Sequence, residues 1–221
     1  MKTKYWLWLF ILDAILHLVT TVYTLPTLNL ITKPLLMILL GGYFVSKVGN
    51  LNNKLKYLVV AALIGSWFGD TFLMFQDYNS MFFIFGLGSF LIAHLAYIMA
   101  FYKFKGKKNQ VVLISTSLFF AAYSLNLLLA LWPGLNDMLI PVIVYAFVLT
   151  VMGIIGVVRN YGISILIVLG AILFIISDSL IAYNKFVEPV IYSRISIMFT
   201  YILAQFLIVK GLSNRMIKIY S

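Results

Sequence analysis

The chain has 221 residues, of which 63 % are hydrophobic and 10 % charged, with a formal net charge of +10 and no cysteine. A soluble domain has about a quarter of its residues charged, so this composition excludes one, and the missing thiol excludes structural disulfides, thiolate metal sites and cysteine nucleophiles. A mean hydropathy of +1.06 and apolar runs of roughly 20 residues predict an all-α polytopic membrane protein, a single transmembrane domain over 1–221.

Turn residues and charges divide the chain into eight predicted helices, at about 5–24, 33–47, 57–76, 81–102, 111–131, 138–158, 162–183 and 190–211. The first follows Lys2 and Lys4 as a signal peptide would, but it runs for some twenty residues, carries Asp13 and His17, and lacks a small-residue cleavage site. It reads as a retained helix, with Asp13 and His17 four apart and able to pair structurally. Pro34, Pro141 and Pro189 stand near the starts of the second, sixth and eighth helices, where a missing N–H costs little. The third helix carries Asp70 in GDTFLM and the fourth carries His94 and Tyr97, three apart on one face. The lysine run over 103–108 is a solvated connection able to touch anionic lipid. Gly86 and Gly88, and likewise Gly153 and Gly156, suit close helix packing. Asn126, Tyr145, Tyr201 and Gln205 are polar groups on core helices, individually uninformative, and Asp178 sits in FIISDSLIAY of the seventh helix.

Eight spans put both termini on one side. That side holds Lys2, Lys4, Lys47, Lys54, Lys56, Lys103, Lys105, Lys107, Lys108, Arg159, Lys210, Arg215 and Lys218, whereas Lys33, Lys185 and Arg194 fall on the other. Basic connections stay cytoplasmic, so both termini are predicted inside, in a cytoplasmic-type (inner) membrane. With the charge confined to these connections there is no basic stripe for nucleic acid. Trp6, Trp8, Tyr102, Trp132 and Tyr220 near span ends fit interfacial anchoring.

The two halves resemble each other weakly. In GDTFLM and SDSLIA a small residue precedes the aspartate, and a hydroxyl and two large apolar residues follow; the aspartates are 108 residues apart. Pro34 and Pro141 are 107 apart, and the pairs Ala93-His94 and Ala204-Gln205 are 111 apart. These offsets suggest a four-helix unit used twice in parallel, its aspartates facing across a pseudo-two-fold axis along the membrane normal. An ionised aspartate at the centre of a span costs roughly 2.5–3.5 kcal/mol on insertion scales, so Asp70 and Asp178 are expected to face the bundle interior or a hydrated cavity. Both helices run outward, which places the two aspartates and Lys33 in the outer half, at the depth of one polar pocket.

The chain carries no nucleophile elbow, no HExxH and no phosphate loop. Its motifs do occur together elsewhere. KPLLM at 33–37, GDTFLM at 69–74, FLIAHLAY at 90–97, PVIVY at 141–145 with Met152 following, SDSLIA at 177–182 and YILAQ at 201–205 resemble, in order, the lysoplasmalogenase family, also called the YhhN family. The first helix and the connection 103–110 carry no such likeness. The resemblance implies an eight-helix membrane hydrolase that cleaves the vinyl ether bond of lysoplasmalogen to a fatty aldehyde and a glycerophospho-base. Its partners would be the lysophospholipid, water and membrane lipids, and no cofactor or metal is implied. It also implies functional roles for Lys33, Asp70, His94, Tyr97, Asp178, Tyr201 and Gln205.

That chemistry suits the residues. Protonation of the β-carbon of a vinyl ether gives an oxocarbenium ion, water adds, and the hemiacetal collapses. One protonated carboxyl and one carboxylate are needed, as in two-carboxylate glycoside hydrolysis. Burial and like-charge proximity favour that split between Asp70 and Asp178. The sequence does not say which is the acid, although Asp70, deeper and less hydrated, is preferred. Lys33 suits a lysolipid phosphate as a point charge, and His94, Tyr97 and Gln205 suit positioning of water or glycerol. A proton-coupled transporter or carrier would use intramembrane aspartates equally well, but the helices lack clear mid-span Gly/Pro breaks. Head group, chain length and oligomeric state have no signal in the sequence.

Overall fold

The computed structural model describes residues 2–51, 54–104, 109–160 and 164–220. Lys105, Lys107 and Lys108 of the basic connection, and the first two residues of the expected seventh span, lie outside the described residues. The regular elements among them are all helices: α1 (Lys2–Val22), α2 (Pro26–Val48), α3 (Lys54–Met74), α4 (Met81–Tyr102), α5 (Gln110–Leu135), α6 (Leu139–Asn160), α7 (Ile165–Phe186) and α8 (Ser193–Tyr220), with a 3-10 turn over Asn136–Met138. Seven helical stretches among them are long and apolar enough to cross a bilayer, Gln110–Asn160 counting as one of 51 residues. Large apolar side chains such as Leu12, Leu118, Phe119 and Phe147 are exposed, as expected where the solvent is hydrocarbon.

Two helices depart from expectation. The second begins at Pro26, with Leu25 as its N-cap, so Pro34 lies inside the helix rather than at its start. Pro34 has no N–H to offer the Leu30 carbonyl, but Pro26 already supplies the first-turn proline that starts the helix. The eighth begins at Ser193, after Tyr192 with φ 59°, so Pro189 belongs to the preceding connection. It also continues nine residues past the predicted end, through Arg215 and Lys218, because straight-chain cations tolerate a helix and only their heads need water.

The chain divides into two compact units, Met1–Ala100 with Val209–Ser221, and Phe101–Ile208. In the first, α1 packs on α2 and α2 on α3. The buried residues of α1 are Phe10, Asp13, Ala14, His17 and Thr20, a single helical stripe in which three of five are polar. Trp6 lies over Gly42, where a Cβ would collide with its ring, so Trp6 packs α1 onto α2. The α3/α4 seam is made by small residues. A Cβ on Gly69 would come within 2.5 Å of the Phe90 ring, one on Gly65 within 3.0 Å of the Ser89 carbonyl, and one on Gly86 within 2.7 Å of Leu73. Gly88 meets nothing within 4 Å, so of that pair only Gly86 serves packing. The end of α8 is tied to α2 through Lys47, which donates to the Asn214 side chain at 2.6 Å and to the Tyr43 hydroxyl at 2.8 Å.

In the second unit α5, α6 and α7 pack on one another. A Cβ on Gly153 would strike Ile175, and one on Gly156 would lie 2.9 Å from Ala171, so this glycine pair does serve the α6/α7 contact. Gly170 of α7 approaches Ala204 and Ile208 of α8 in the same manner. Without a hydrophobic drive between helices in lipid, close backbone approach is what holds such seams. Arg159 stacks over the Tyr102 ring at 4.0 Å, a cation–π contact that fixes the otherwise exposed tyrosine.

Candidate functional site

The first unit brings Lys33 and Asp70 together. Asp70 ends the buried stripe of α3, and Lys33 Nζ on α2 lies 3.8 Å from its Oδ1. The small residue before Asp70 has a physical reason, since only glycine at 69 leaves room for Phe90. Phe90 stacks in turn on His94, with ring centroids 6.4 Å apart and an interplanar angle of 24°. His94 and Tyr97 are both fully buried on α4.

A second polar set borders Lys33. His17 Nδ1 and Thr32 Oγ1 form a 2.8 Å hydrogen bond, while Thr20 donates to Asn29 at 2.6 Å. With Thr3 of α1 donating to the Ser46 carbonyl of α2 at 3.2 Å, the α1/α2 seam is joined by side-chain hydrogen bonds near both ends. The pairing expected between Asp13 and His17 is replaced by this cross-helix bond, because Thr32 lies on the facing helix of a tightly packed pair. Asp13 Oδ2 and His17 Nε2 are buried and have no hydrogen-bond partner among the described residues. Thr32 precedes Lys33, so α1 contributes a histidine to the neighbourhood of the ion pair. The sequence offered a signal for this, polar residues at 13, 17 and 20 on one stripe.

In the second unit Asp178 is buried on α7 and accepts a 2.6 Å hydrogen bond from the Tyr145 hydroxyl of α6. Ser177, the small residue before it, donates to the Ile197 carbonyl at 3.1 Å and so locks α7 to α8. Tyr201 on α8 packs edge-on against Phe174 of α7 at 5.6 Å. Gln205, one turn on, donates to the Tyr201 hydroxyl at 3.4 Å. The second unit thus holds two polar pairs, Asp178 with Tyr145 across α6 and α7, and Tyr201 with Gln205 on α8. Tyr145 is the residue that sequence reasoning passed over; its signal was its place closing PVIVY. Among the described residues no group of three or more His, Asp or Glu is arranged to hold a metal ion.

Each aspartate thus has a partner of a different kind, a cation for Asp70 and a neutral hydroxyl donor for Asp178. A carboxylate beside an ammonium is exchangeable, since an anionic ligand competes for the same cation. A carboxylate held by a neutral phenol keeps its donor whether or not an anion binds.

Sequence comparison extends beyond the motifs. The YhhN family profile matches residues 28–212. A human protein named Lysoplasmalogenase TMEM86A is 35 % identical over 158 residues, covering 68 % of this chain and 62 % of that protein. A rat protein named Lysoplasmalogenase TMEM86B is 32 % identical over 178 residues, covering 80 % of this chain and 68 % of that protein. A Mycobacterium bovis protein named Lysoplasmalogenase is 31 % identical over 162 residues, or 69 % of this chain and 59 % of its own length. The chain thus spans about three-fifths to two-thirds of the length of these relatives. No solved structure matches.

Proposed function

From the YhhN family, to which this chain belongs, we propose that the protein is a membrane hydrolase cleaving the vinyl ether bond of a lysoplasmalogen, with release of a fatty aldehyde and a glycerophospho-base. The observation that carries this reading is the extent of the family match, which runs over 28–212 and so takes in all seven candidate residues and Tyr145.

The reaction needs one proton delivered to carbon and one carboxylate for the cation that results. Lys33 binds the phosphate of the incoming lysolipid as a point charge, and this draws it from Asp70. Asp70, released from its counter-ion in a buried setting, takes up a proton from water and delivers it to the β-carbon of the alkenyl chain. Asp178, held by the Tyr145 hydroxyl, stabilises the oxocarbenium ion and takes a proton from the attacking water, the division of roles familiar from paired-carboxylate glycosidases. The carbon–oxygen double-bond character collapses to a hemiacetal, which breaks its C–O bond to give aldehyde and alcohol. One water is consumed, and Asp178 returns to water a proton matching the one Asp70 took up, so both carboxylates end as they began. His94, Tyr97, Tyr201 and Gln205 position water and glycerol.

Eight spans belong to the same reading. A continuous helix of 51 residues would be about 76 Å long, over twice a hydrocarbon core of about 30 Å. Asn136 has φ 41° at the junction and α5 packs on α6, which supports a hairpin of two spans. Both termini then lie in the cytoplasm of an inner-type membrane, the site lies toward the outer half, and the eight spans are a four-helix segment used twice in parallel.

The test is purified protein in detergent with a lysolipid panel, read for aldehyde, fatty acid and glycerophospho-base. Aldehyde release without any gradient is expected from wild type and is expected to be abolished in Asp70→Asn and Asp178→Asn, both still folded. Full activity in either variant refutes the carboxylate mechanism. Gradient-dependent flux in liposomes with no aldehyde would favour a carrier.

A further inference from the structure

A cavity of about 290 Å³ opens between α2 and α3, at the lower end of the range for small-molecule sites. Its walls include Met37, Gly41 and Val45 from α2 and Val60, Ile64 and Trp67 from α3, with no charged side chain among them. Lys33 stands one turn before Met37 and Asp70 one turn past Trp67, so the 3.8 Å ion pair closes the same end of the helix pair. From Trp67 to Val60, and from Met37 to Val45, the walls run about 10–12 Å at 1.5 Å per residue, most of one leaflet of a core about 30 Å thick. Polarity therefore changes along one line, from a cation and a carboxylate to unbroken hydrocarbon.

Gly41 keeps the groove open. A Cβ there would meet only Leu63 Cδ1, at 4.0 Å, whereas Gly42 beside it is required by Trp6. Gly41 is therefore not needed for helix contact, and a side chain larger than a methyl would project into open space between the walls. Trp67, at the end nearest the ion pair, has its indole N–H buried with no hydrogen-bond partner among the described residues.

We infer that the α2/α3 groove is the subsite for the hydrocarbon chain of the lysolipid, with the reacting end of the chain at Asp70, the phosphate at Lys33 and the remaining methylenes running past Trp67 and Gly41 toward Val45. This rests on the lysolipid reading above and adds to it which helices measure chain length. Gly41 is the specificity-determining position, since its missing side chain sets how far the chain can descend.

Two measurements on the full chain in detergent test it. In the first, Gly41→Leu is compared with Gly41→Ala and with Gly88→Leu, an open position on α4, across alkenyl lysolipids of short and long chain. Gly41→Leu is expected to lower the long-to-short ratio of kcat/KM at least tenfold, and Gly88→Leu to leave it unchanged. Equal loss at every length, or no change of ratio, overturns the inference. In the second, tryptophan fluorescence is quenched with lysophosphatidylcholine brominated along its chain. Saturable quenching is expected, lost in Trp67→Phe and weakened in Gly41→Leu. Quenching that is linear, or matched by a brominated diacyl lipid, marks ordinary bilayer contact and overturns it. Saturable quenching through Trp67 without aldehyde from any substrate would sink the hydrolase reading and leave the groove standing. Aldehyde release with no chain-length effect would do the reverse.

Discussion

Lys33→Met leaves the Asp70 carboxylate in a packed interior without its counter-charge. At 3.8 Å and an effective dielectric of about 20, the attraction lost is about 4 kcal/mol, within the range of about 3–5 kcal/mol found when one member of a buried pair is removed. The reverse change, Asp70→Asn, strands a lysine that is 17 % exposed and whose stem can carry the ammonium to the head groups, so it costs only about 1–2 kcal/mol. Making both changes removes the stranded charge. The double variant is expected to be at least about 2 kcal/mol more stable than the sum of the singles implies. Thermal unfolding in detergent of the four proteins reads the cycle, with Lys33→Met about 6–20 °C below wild type at roughly 2–4 °C per kcal/mol. Costs that add to within about 0.5 kcal/mol would refute the pairing. The same cycle separates a lysine that binds phosphate from one that only steadies the fold: at equal stability, the double variant should still show a raised KM or no turnover.

Other expectations are simpler to state. Tyr145→Phe removes the donor to Asp178; a hydrogen bond to a charged group is worth about 1.5–3 kcal/mol, so kcat should fall about 10- to 100-fold with KM little changed. An unaltered kcat would detach Asp178 from its phenol. Gly69→Ala forces a methyl against Phe90 and should cost about 1–3 kcal/mol in unfolding measurements, with Phe90→Leu restoring stability in the double variant. If Gly69→Ala unfolds like wild type, the tight α3/α4 seam is wrong. Thr32→Val deletes the bond to His17 and should cost about 1 kcal/mol, more than Thr27→Val, which no such bond holds. Reporters fused at either terminus should both face the cytoplasm; opposite sides would require an odd number of spans.

The helices were largely legible because a bilayer demands long apolar runs, and residues 81–102 of α4 coincide with the predicted segment. Boundaries failed where proline was ambiguous. The same residue type that starts a helix at position 26 sits within one at position 34. The extension of α8 was hidden by its charges, which read as an ending although Lys210 and Arg215 sit on well-packed turns. At the site, Asp70 and Asp178 announced themselves by their cost in an apolar run. Lys33 was singled out by its depth, and its partner is the aspartate expected to share that depth. Tyr145 gave no comparable signal, because a tyrosine among apolar residues is ordinary and its role depends on a hydroxyl reaching another helix. His17 was assigned to its own helix since i, i+4 spacing is visible in a sequence and a cross-helix threonine is not.

The tie between Lys47 and Asn214 spans 167 residues and joins a unit whose other members all precede residue 101. On the ribosome, α1 through α3 are therefore inserted long before the segment that completes their packing has been made. Until residues 209–220 emerge, that early unit must wait with one flank open, and the cost of closing so large a loop falls at the last moment of biogenesis. A stop codon near position 208 would accordingly damage the part of the protein made first, although every residue of that part would be present.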